Sequence, residues 1–512
     1  MAKSSKKSLP NNVDDLKDMV RRLEMELQLK DEMIRLFRIQ KYGAKSEKLS
    51  DQQLSLLEEE PGVRSEEIEK ELAHTQEDSK AKTKSKKRRS HPGRIELPAD
   101  LPRVEETIAC TPEQCRCGQC DQATHVIGYE ECEVLDVKPA EYFVRVIRRE
   151  KRACQSCPEA GVGTAPAPKR IIDKGKLSNG MVVDAVLKKY RDHLPVYRQC
   201  ASLLEDCSIE IDRSTLGSNI LAVGELCDLV SQAMKAELFA QGYVQADETP
   251  VGVQSGRVQG KNHQAYIFQY SHPRGIAIFD FQSSRERAGP KTFLEGYKGL
   301  LQTDGYTGYE KFGEDAIVRI GCMAHIRRKF VDAHKVAKDD PRPKEIIEQI
   351  AQLYQTEKEA RTLGLGATAR KELRQEKSLP VITSLKTRIM ELRQSSSVQP
   401  KSLLGKACTY ALNQWDRTAR YLDHGEAELD NNVCENGIRP VAVGRKNWLH
   451  IGSEKAGPKI AGIISILETC RRLDINARDY LLDVLPGLWD LPQRELANLT
   501  PTKWKAQRQA AD

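Results

Sequence analysis

A chain of 512 residues, 39% hydrophobic and 30% charged, has room for several domains and reads as a polar protein with a modest core. No stretch approaches the roughly 20 apolar residues of a membrane span, and the opening MAKSSKKSLPNN lacks the apolar core of a signal peptide, so a cytoplasmic location without a membrane partner is the expectation. The net charge of +7 is small for this length but unevenly placed: an acidic run, Glu58–Glu71, precedes a basic one, Lys80–Arg94, which reads either as a solvated linker or as an arm that contacts phosphate.

In chain order, Val13, Leu16, Val20, Leu23, Leu27, Ile34 and Phe37 recur at three- and four-residue steps with Lys30 as the one polar member. That spacing predicts a helix over 12–42, either a short coiled coil or an amphipathic helix docked on its own chain. Residues 43–100 are charged and poor in aromatics, the composition of a linker.

Seven of the 14 cysteines fall between Cys110 and Cys157, which in a reducing compartment points to metal binding rather than disulfides. Cys117-Gly-Gln-Cys120 and Cys154-Gln-Ser-Cys157 form two C-x-x-C knuckles, and four thiolates complete the tetrahedral set of a structural zinc site. Cys115 is an alternative to Cys117 or Cys120 in the first knuckle. Between the knuckles, Glu131–Val137 and Tyr142–Arg148 read as a β-hairpin whose Arg145, Arg148, Arg149, Lys151 and Arg152 make the 101–168 module basic and suited to a phosphate backbone.

Past Ala165-Pro-Ala-Pro168 the pattern turns helical. Met181–Tyr190, Val196–Glu205 and Arg213–Val223 are predicted helices within 175–240, and the turn at Ser208–Asp212 makes the last two compatible with a helix-turn-helix or with a plain helical bundle.

At Tyr243 the periodicity changes to two. Tyr243–Ala246, Ala265–Tyr270 and Gly275–Phe281 predict a three-strand meander, with Asp247 and Glu248 at the end of the first strand because Pro250 limits further pairing. A helix through Pro290–Gly296 leads to a strand, Gly299–Thr303, that ends in Asp304. A further strand, Ala316–Gly321, runs into a helix from Ala324 to Phe330. Three meandering strands and then strands separated by helices is the order of a ribonuclease H-like α/β domain, here 241–450, with a helical insertion at about 331–427. Asp430 or Asn431 is expected to cap a helix that carries Glu435 and, one turn on, Arg439. Residues 451–512 read as a helical tail.

Three acids, Asp247, Asp304 and Glu435, are placed to hold two magnesium-class ions, with Glu248, Asp280, Glu428 and Asp430 as internal competitors. Arg327, Arg328, Lys329, Arg439, Arg445 and Lys446 are candidate phosphate contacts or ordinary surface charge. Trp448 is either a base-stacking or a core residue, and Cys322 with His325 has ligand-like spacing but no further partner in the sequence.

YGAKSEKL (Tyr42–Leu49), the two-knuckle segment, KYRDHLPVYRQ (Lys189–Gln199), QADETPV (Gln245–Val251), LQTDGYTGY (Leu301–Tyr309), GCMAHIRRKF (Gly321–Phe330) and LDNNVCENGIRPVAVGRKNWL (Leu429–Leu449) together resemble the insertion-sequence 66 family of bacterial DDE transposases. The resemblance implies catalytic Asp247, Asp304 and Glu435 with Mg2+ or Mn2+, structural Zn2+ on Cys117, Cys120, Cys154 and Cys157, and a homo-oligomer assembled through the N-terminal coiled coil. It implies DNA as the partner, both element ends and target, accessory proteins of the same element, and a nucleoid-associated location. Two positions depart from the family pattern: Cys434 stands where alanine is usual and Met323 where tryptophan is usual, and neither removes a ligand. The rival readings are a non-catalytic, transposase-derived zinc DNA-binding protein and a simple metal-dependent nuclease.

Overall fold

Twelve residues from Tyr243 to Gln254 form strand β3, around which the main unit is assembled. The computed structural model describes residues 12–42, 122–123, 142–153, 162–173, 175–254, 262–309 and 316–510. The chain divides into two units, 81–166 and the remainder.

In the smaller unit, β1 (Lys151–Ala153) pairs antiparallel with β2 (Val162–Thr164), and the Arg149 Nε donates to the Ala165 carbonyl at 2.7 Å. Tyr142–Arg148, expected as a strand, has no regular strand pairing among the described residues. Its expected partner, Glu131–Val137, lies outside them, as do Cys117, Cys120, Cys154 and Cys157.

The larger unit begins with α1 (Val13–Tyr42). After it come α2 (Asn179–Tyr190), α3 (Val196–Cys207) and the long α4 (Arg213–Ala240). The sheet then forms from β3, β4 (Asn262–Ser271) and β5 (Ala277–Gln282), followed by α5 (Ala288–Phe293), β6 (Gly299–Gln302) and β7 (Ile317–Ile320). Strand order is β5-β4-β3-β6-β7: the first three are antiparallel, and β6 and β7 run parallel to β3. Helices α6 (Met323–Val336), α7 (Pro341–Thr362), α8 (Ala367–Leu373), α9 (Leu379–Gln394) and α10 (Leu403–Ala419) follow. The chain finishes with α11 (Asn432–Trp448), α12 (Ala456–Arg472), α13 (Ala477–Val484) and α14 (Pro501–Gln509).

Alternation along the strands divides the apolar residues between two cores. Val244, Ala246 and Leu301 join α2, α4 and α12 in one, whereas Tyr243, Leu300 and Ile320 join α6 and helices α7, α9 and α10 in the other. Helix α4 runs well beyond the predicted Val223 because Leu226, Val230, Met234 and Leu238 continue its buried stripe against the sheet. It lies so close to α12 that a Cβ at Gly462 would come within 2.6 Å of the Asp228 amide nitrogen. The first turn of α4, at Arg213, Ser214 and Thr215, is a run of exposed residues.

The N-terminal helix combines the two alternatives open from its sequence. Leu29, Glu32 and Leu36 are half-buried, α1 packs on α6, and the Glu32 carboxylate accepts from the Leu403 amide at 3.2 Å. Its apolar seam faces away from these contacts: Val20, Leu23, Leu27 and Phe37 are each half or more exposed. Among the described residues, no helix is long and apolar enough to cross a membrane.

Candidate active site

Asp247 does not end a strand, as the proline had suggested. Strand β3 continues through Pro250 and stays paired with β4 to Gln254. The other edge of β3 is what changes. Strand β6 pairs only with Tyr243–Gln245, and the next backbone on that side is Ile451, which bridges to Val253. Asp247 and Pro250 lie in the gap between. The Pro250 carbonyl points into this gap and accepts from Arg445, so the position without an N–H faces no strand that would need one.

Tyr243, Gln245 and Asp247 share one face of β3 by its two-residue period. In the parallel register Gln245 stands beside Gln302, so Asp247 and Asp304 each follow a matched glutamine by two residues. The parallel register therefore brings both aspartates to the same level of the sheet, where β6 has ended and β3 runs on. The Asp304 Oδ1 accepts from the Tyr306 amide at 2.8 Å, which turns the chain away after the acid.

Glu435 comes from the first turn of α11, where the helix N-terminus favours a carboxylate. The segment before α11 is tied to the strands by buried side chains. Gln245 Nε2 donates to the Asp430 carbonyl and to Gln302 Oε1, both at 2.9 Å, and Gln302 Nε2 donates to the Glu428 carbonyl at 2.9 Å. The Tyr243 hydroxyl donates to Gln302 Oε1 at 2.5 Å and accepts from the Glu428 amide at 3.0 Å. On the opposite side of α11, Arg472 donates to the Val433 and His272 carbonyls, and a Cβ at Gly437 would overlap Gln269 and Arg472. Tyr243, Gln245 and Gln302 were not among the site residues expected from the sequence. The available signal was a glutamine inside two apolar strands, each two residues before an acid.

The carboxyl group of Asp247 is held well above the ordinary carboxylate range, first by burial and then by the charges of Glu435, Glu248 and Asp304. Four acids therefore converge. Glu248 is neutralised within the group: Arg285 pairs with it at 2.5 Å while stacking 4.1 Å over the Tyr306 ring, and the Tyr309 hydroxyl donates to its other oxygen at 3.5 Å. No basic side chain pairs with Asp247 or Asp304 among the described residues, and Glu435 has Arg328 at 3.4 Å.

The remaining competitors are engaged elsewhere. Glu428 pairs with buried Arg370 at 2.6 Å. Asp430 accepts from the Tyr354 hydroxyl at 2.7 Å and from Asn432 Nδ2 at 2.8 Å. It also serves the helix start through the Asn432 amide at 3.2 Å, whereas Asn431, the residue at the cap position, makes no side-chain cap. Asp280 lies toward Lys235 and Asp228, accepts from Gln282 at 2.6 Å, and is pushed up by burial to about 6. A set of half-buried carboxylates that repel one another suits a hard divalent cation, which relieves that repulsion on binding.

Of the basic candidates, Arg328, Lys329 and Lys446 are exposed and Arg439 is half-buried. Arg327 is 5% exposed and lies in the interior, because it falls on the core-facing side of α6. Arg445 holds α11 to β3 through the Thr249 hydroxyl at 3.0 Å and the Pro250 carbonyl. Trp448 packs, partly buried, against the α4–α12 core.

Residues 174–459, more than half of the chain and including all three acids, match the family model described as "Transposase IS66 family". The chain belongs to the IS66 transposase family. A zinc-finger binding domain of transposase IS66 matches residues 112–158 of this family member, and a model described as "Transposase C of IS166 homeodomain" matches 29–105. This IS66-family chain is 33% identical over 426 residues to Uncharacterized protein y4jD of Sinorhizobium fredii (strain NBRC 101917 / NGR234), covering 80% of the chain and 82% of that relative. It is 31% identical over 486 residues to Uncharacterized protein y4qI of the same organism, covering 91% and 86%. The protein is thus a mixed helical and sheet transposase with a zinc-finger part.

Proposed function

We propose that this IS66-family member is a DDE transposase that binds the terminal inverted repeats of its own element, cuts a phosphodiester at each end, and joins the freed 3′-hydroxyl to target DNA at the same carboxylates. The convergence of Asp247, Asp304 and Glu435, from three separated segments, close enough for their charges to act on Asp247, with no basic side chain paired to Asp247 or Asp304 among the described residues, carries this reading. Bound Mg2+ or Mn2+ would supply activation of the attacking oxygen and charge relief at the leaving one. The chain's own part is to hold the three carboxylates in place through the Gln245–Gln302–Tyr243 bonds and to offer Arg328, Lys329, Arg439 and Lys446 to DNA phosphates.

The strand order, three antiparallel strands followed by two parallel ones, supports a ribonuclease H-like core over 241–450 with its insertion at about 331–427. The exposed seam of α1 supports a coiled coil and a homo-oligomer that holds two element ends together. The exposed first turn of α4, after the α3–α4 turn, supports a helix-turn-helix role for 175–240. Cys117, Cys120, Cys154 and Cys157 are the zinc ligands of the 101–168 module in this reading, and accessory proteins of the element and a nucleoid-associated cytoplasmic location complete it.

The test compares wild type with Asp304→Asn in a mating-out transposition assay with the element's other genes supplied, and in joining of a pre-cut 3′-end to a second duplex. Transposition and joining are expected to fall at least about 100-fold, with folding and end binding retained. Persistence of either reaction in the folded variant would remove Asp304 from the site. Cutting without joining by wild type would make the protein a nuclease.

A further inference from the structure

Cys322 and His325 gain in the fold the third partner that their sequence spacing lacked. Cys322 is the residue before α6, His325 lies in the first turn of that helix, and the Met323 amide donates to the Leu429 carbonyl at 3.2 Å, drawing the start of α6 toward the approach to α11. Cys322 Sγ, a ring nitrogen of His325 and a carboxylate oxygen of Glu435 consequently lie within 4.8 Å of one another. His325 Nδ1 and Glu435 Oε1 are both shielded from solvent, 3.7 Å apart, and neither has a hydrogen-bond partner. That separation is too long for an N–H···O bond. It is close to the roughly 3.3–3.6 Å between neighbouring ligands of a tetrahedral ion with bonds of about 2.0–2.3 Å.

The donor set also differs in kind from the acids beside it. Asp247 and Asp304 offer only hard oxygens, whereas a thiolate, an imidazole and a single carboxylate select a zinc-class ion and leave one coordination position open. Cys322 is 4% exposed; burial first, then the charges of Asp430 and Glu435, hold its thiol well above the usual range in the cation-free protein, against the backbones of Asn431 and His325 that lie at its sulfur, so an ion bound there takes the place of that proton.

We propose that Cys322, His325 and Glu435 form a binding site for one zinc-class ion, and that its occupancy commits Glu435 to α6 and withholds it from Asp247 and Asp304. Zinc then competes with the hard cation through the shared glutamate. The binding half stands on the geometry alone; the competition half rests on the reading of Glu435 as the third catalytic acid.

The experiment uses the full-length chain loaded with Zn2+ alone, desalted, and assayed for metal per chain by elemental analysis. Zinc held by the N-terminal finger contributes equally to every variant, so the difference is what is read. Cys322→Ser and His325→Gln are each expected to hold one zinc fewer per chain than wild type, with unchanged far-UV circular dichroism. Equal zinc content in either folded variant would overturn the site. In the second arm, Zn2+ is titrated into 3′-end joining in Mg2+, each protein relative to its own rate without added Zn2+. The half-inhibitory Zn2+ concentration is expected to rise at least ten-fold in Cys322→Ser. Lost zinc with unchanged inhibition would overturn the competition, and absence of joining by wild type that keeps its finger zinc and receives no added Zn2+ would count against the transposase reading while leaving the zinc difference intact.

Discussion

Asp247 concentrates the electrostatic cost of the site. Its carboxyl is raised above the ordinary 3.8 by burial and by Glu435, Glu248 and Asp304, so the folded protein holds that proton more tightly than the unfolded chain does. The cation-free protein therefore loses stability as pH rises from about 4 through the raised value, and the full cost is present above it. Asp247→Asn removes that cost. At pH 8 without divalent cations the variant is expected to melt at least about 2 °C above wild type, the smallest shift that about 1 kcal/mol gives in a domain of this size. The two curves should converge below about pH 4. Mg2+ should raise the melting temperature of wild type and not of the variant, which is inactive in joining. A variant that melts lower than wild type at pH 8 would show that the acids are compensated in a way the geometry does not support.

At the scale of elements, two devices place Glu435. One is the pair of glutamines on β3 and β6. Gln302→Leu removes the donor to the Gly321 and Glu428 carbonyls and the acceptor for Tyr243 and Gln245. Each buried group left unpaired costs about 1–3 kcal/mol. The expected outcome is a lower melting temperature and slower joining with end affinity unchanged; wild-type joining would relieve Gln302 of any positioning role. The other device is the buried cluster between α7 and α8 and the chain that follows α10. Glu357 accepts from Arg370 at 2.5 Å and from Arg374 at 2.7 Å, while Arg374 also donates to the Tyr421, His424 and Ala427 carbonyls at 2.8–2.9 Å. Arg374 thereby clamps the chain that leads into Glu428. Arg374→Ala leaves Glu357 short of charge in the interior and is expected to destabilise by about 3–5 kcal/mol in urea unfolding.

For the whole molecule, the N-terminal helix matters because it spends one face on its own chain and leaves the other uncovered. Leu29, Glu32 and Leu36 are half-buried and Glu32 accepts from the Leu403 amide, whereas Leu23 is 50% and Leu27 62% exposed. Replacing both leucines by glutamate puts like charges into any seam between two copies. Light scattering is expected to show a smaller assembly for Leu23→Glu/Leu27→Glu, with the melting temperature of the catalytic unit preserved. An unchanged mass would place the oligomer contact elsewhere.

Legible in the sequence were the helix of residues 12–42, the three-strand meander, the helical character of the stretch after Phe330, and the family that residues 174–459 match. Period and composition are local properties, written into neighbouring residues, so they are legible before folding. Local signals also misled where the deciding neighbour was remote. Pro250 looked like a strand end because the sequence does not reveal that the β3 edge facing it is open, and Arg327 looked like surface charge because the helix face it occupies is set by what packs on α6. Tertiary structure alone sorted the acids. Glu248, Glu428 and Asp430 found Arg285, Arg370 and Tyr354, each more than thirty residues away in the chain. It likewise gave Cys322 and His325 their Glu435. Which carboxylates remain to hold a cation depends on pairings between distant segments, and such pairings exist only after the sheet and the helices around it have closed on one another.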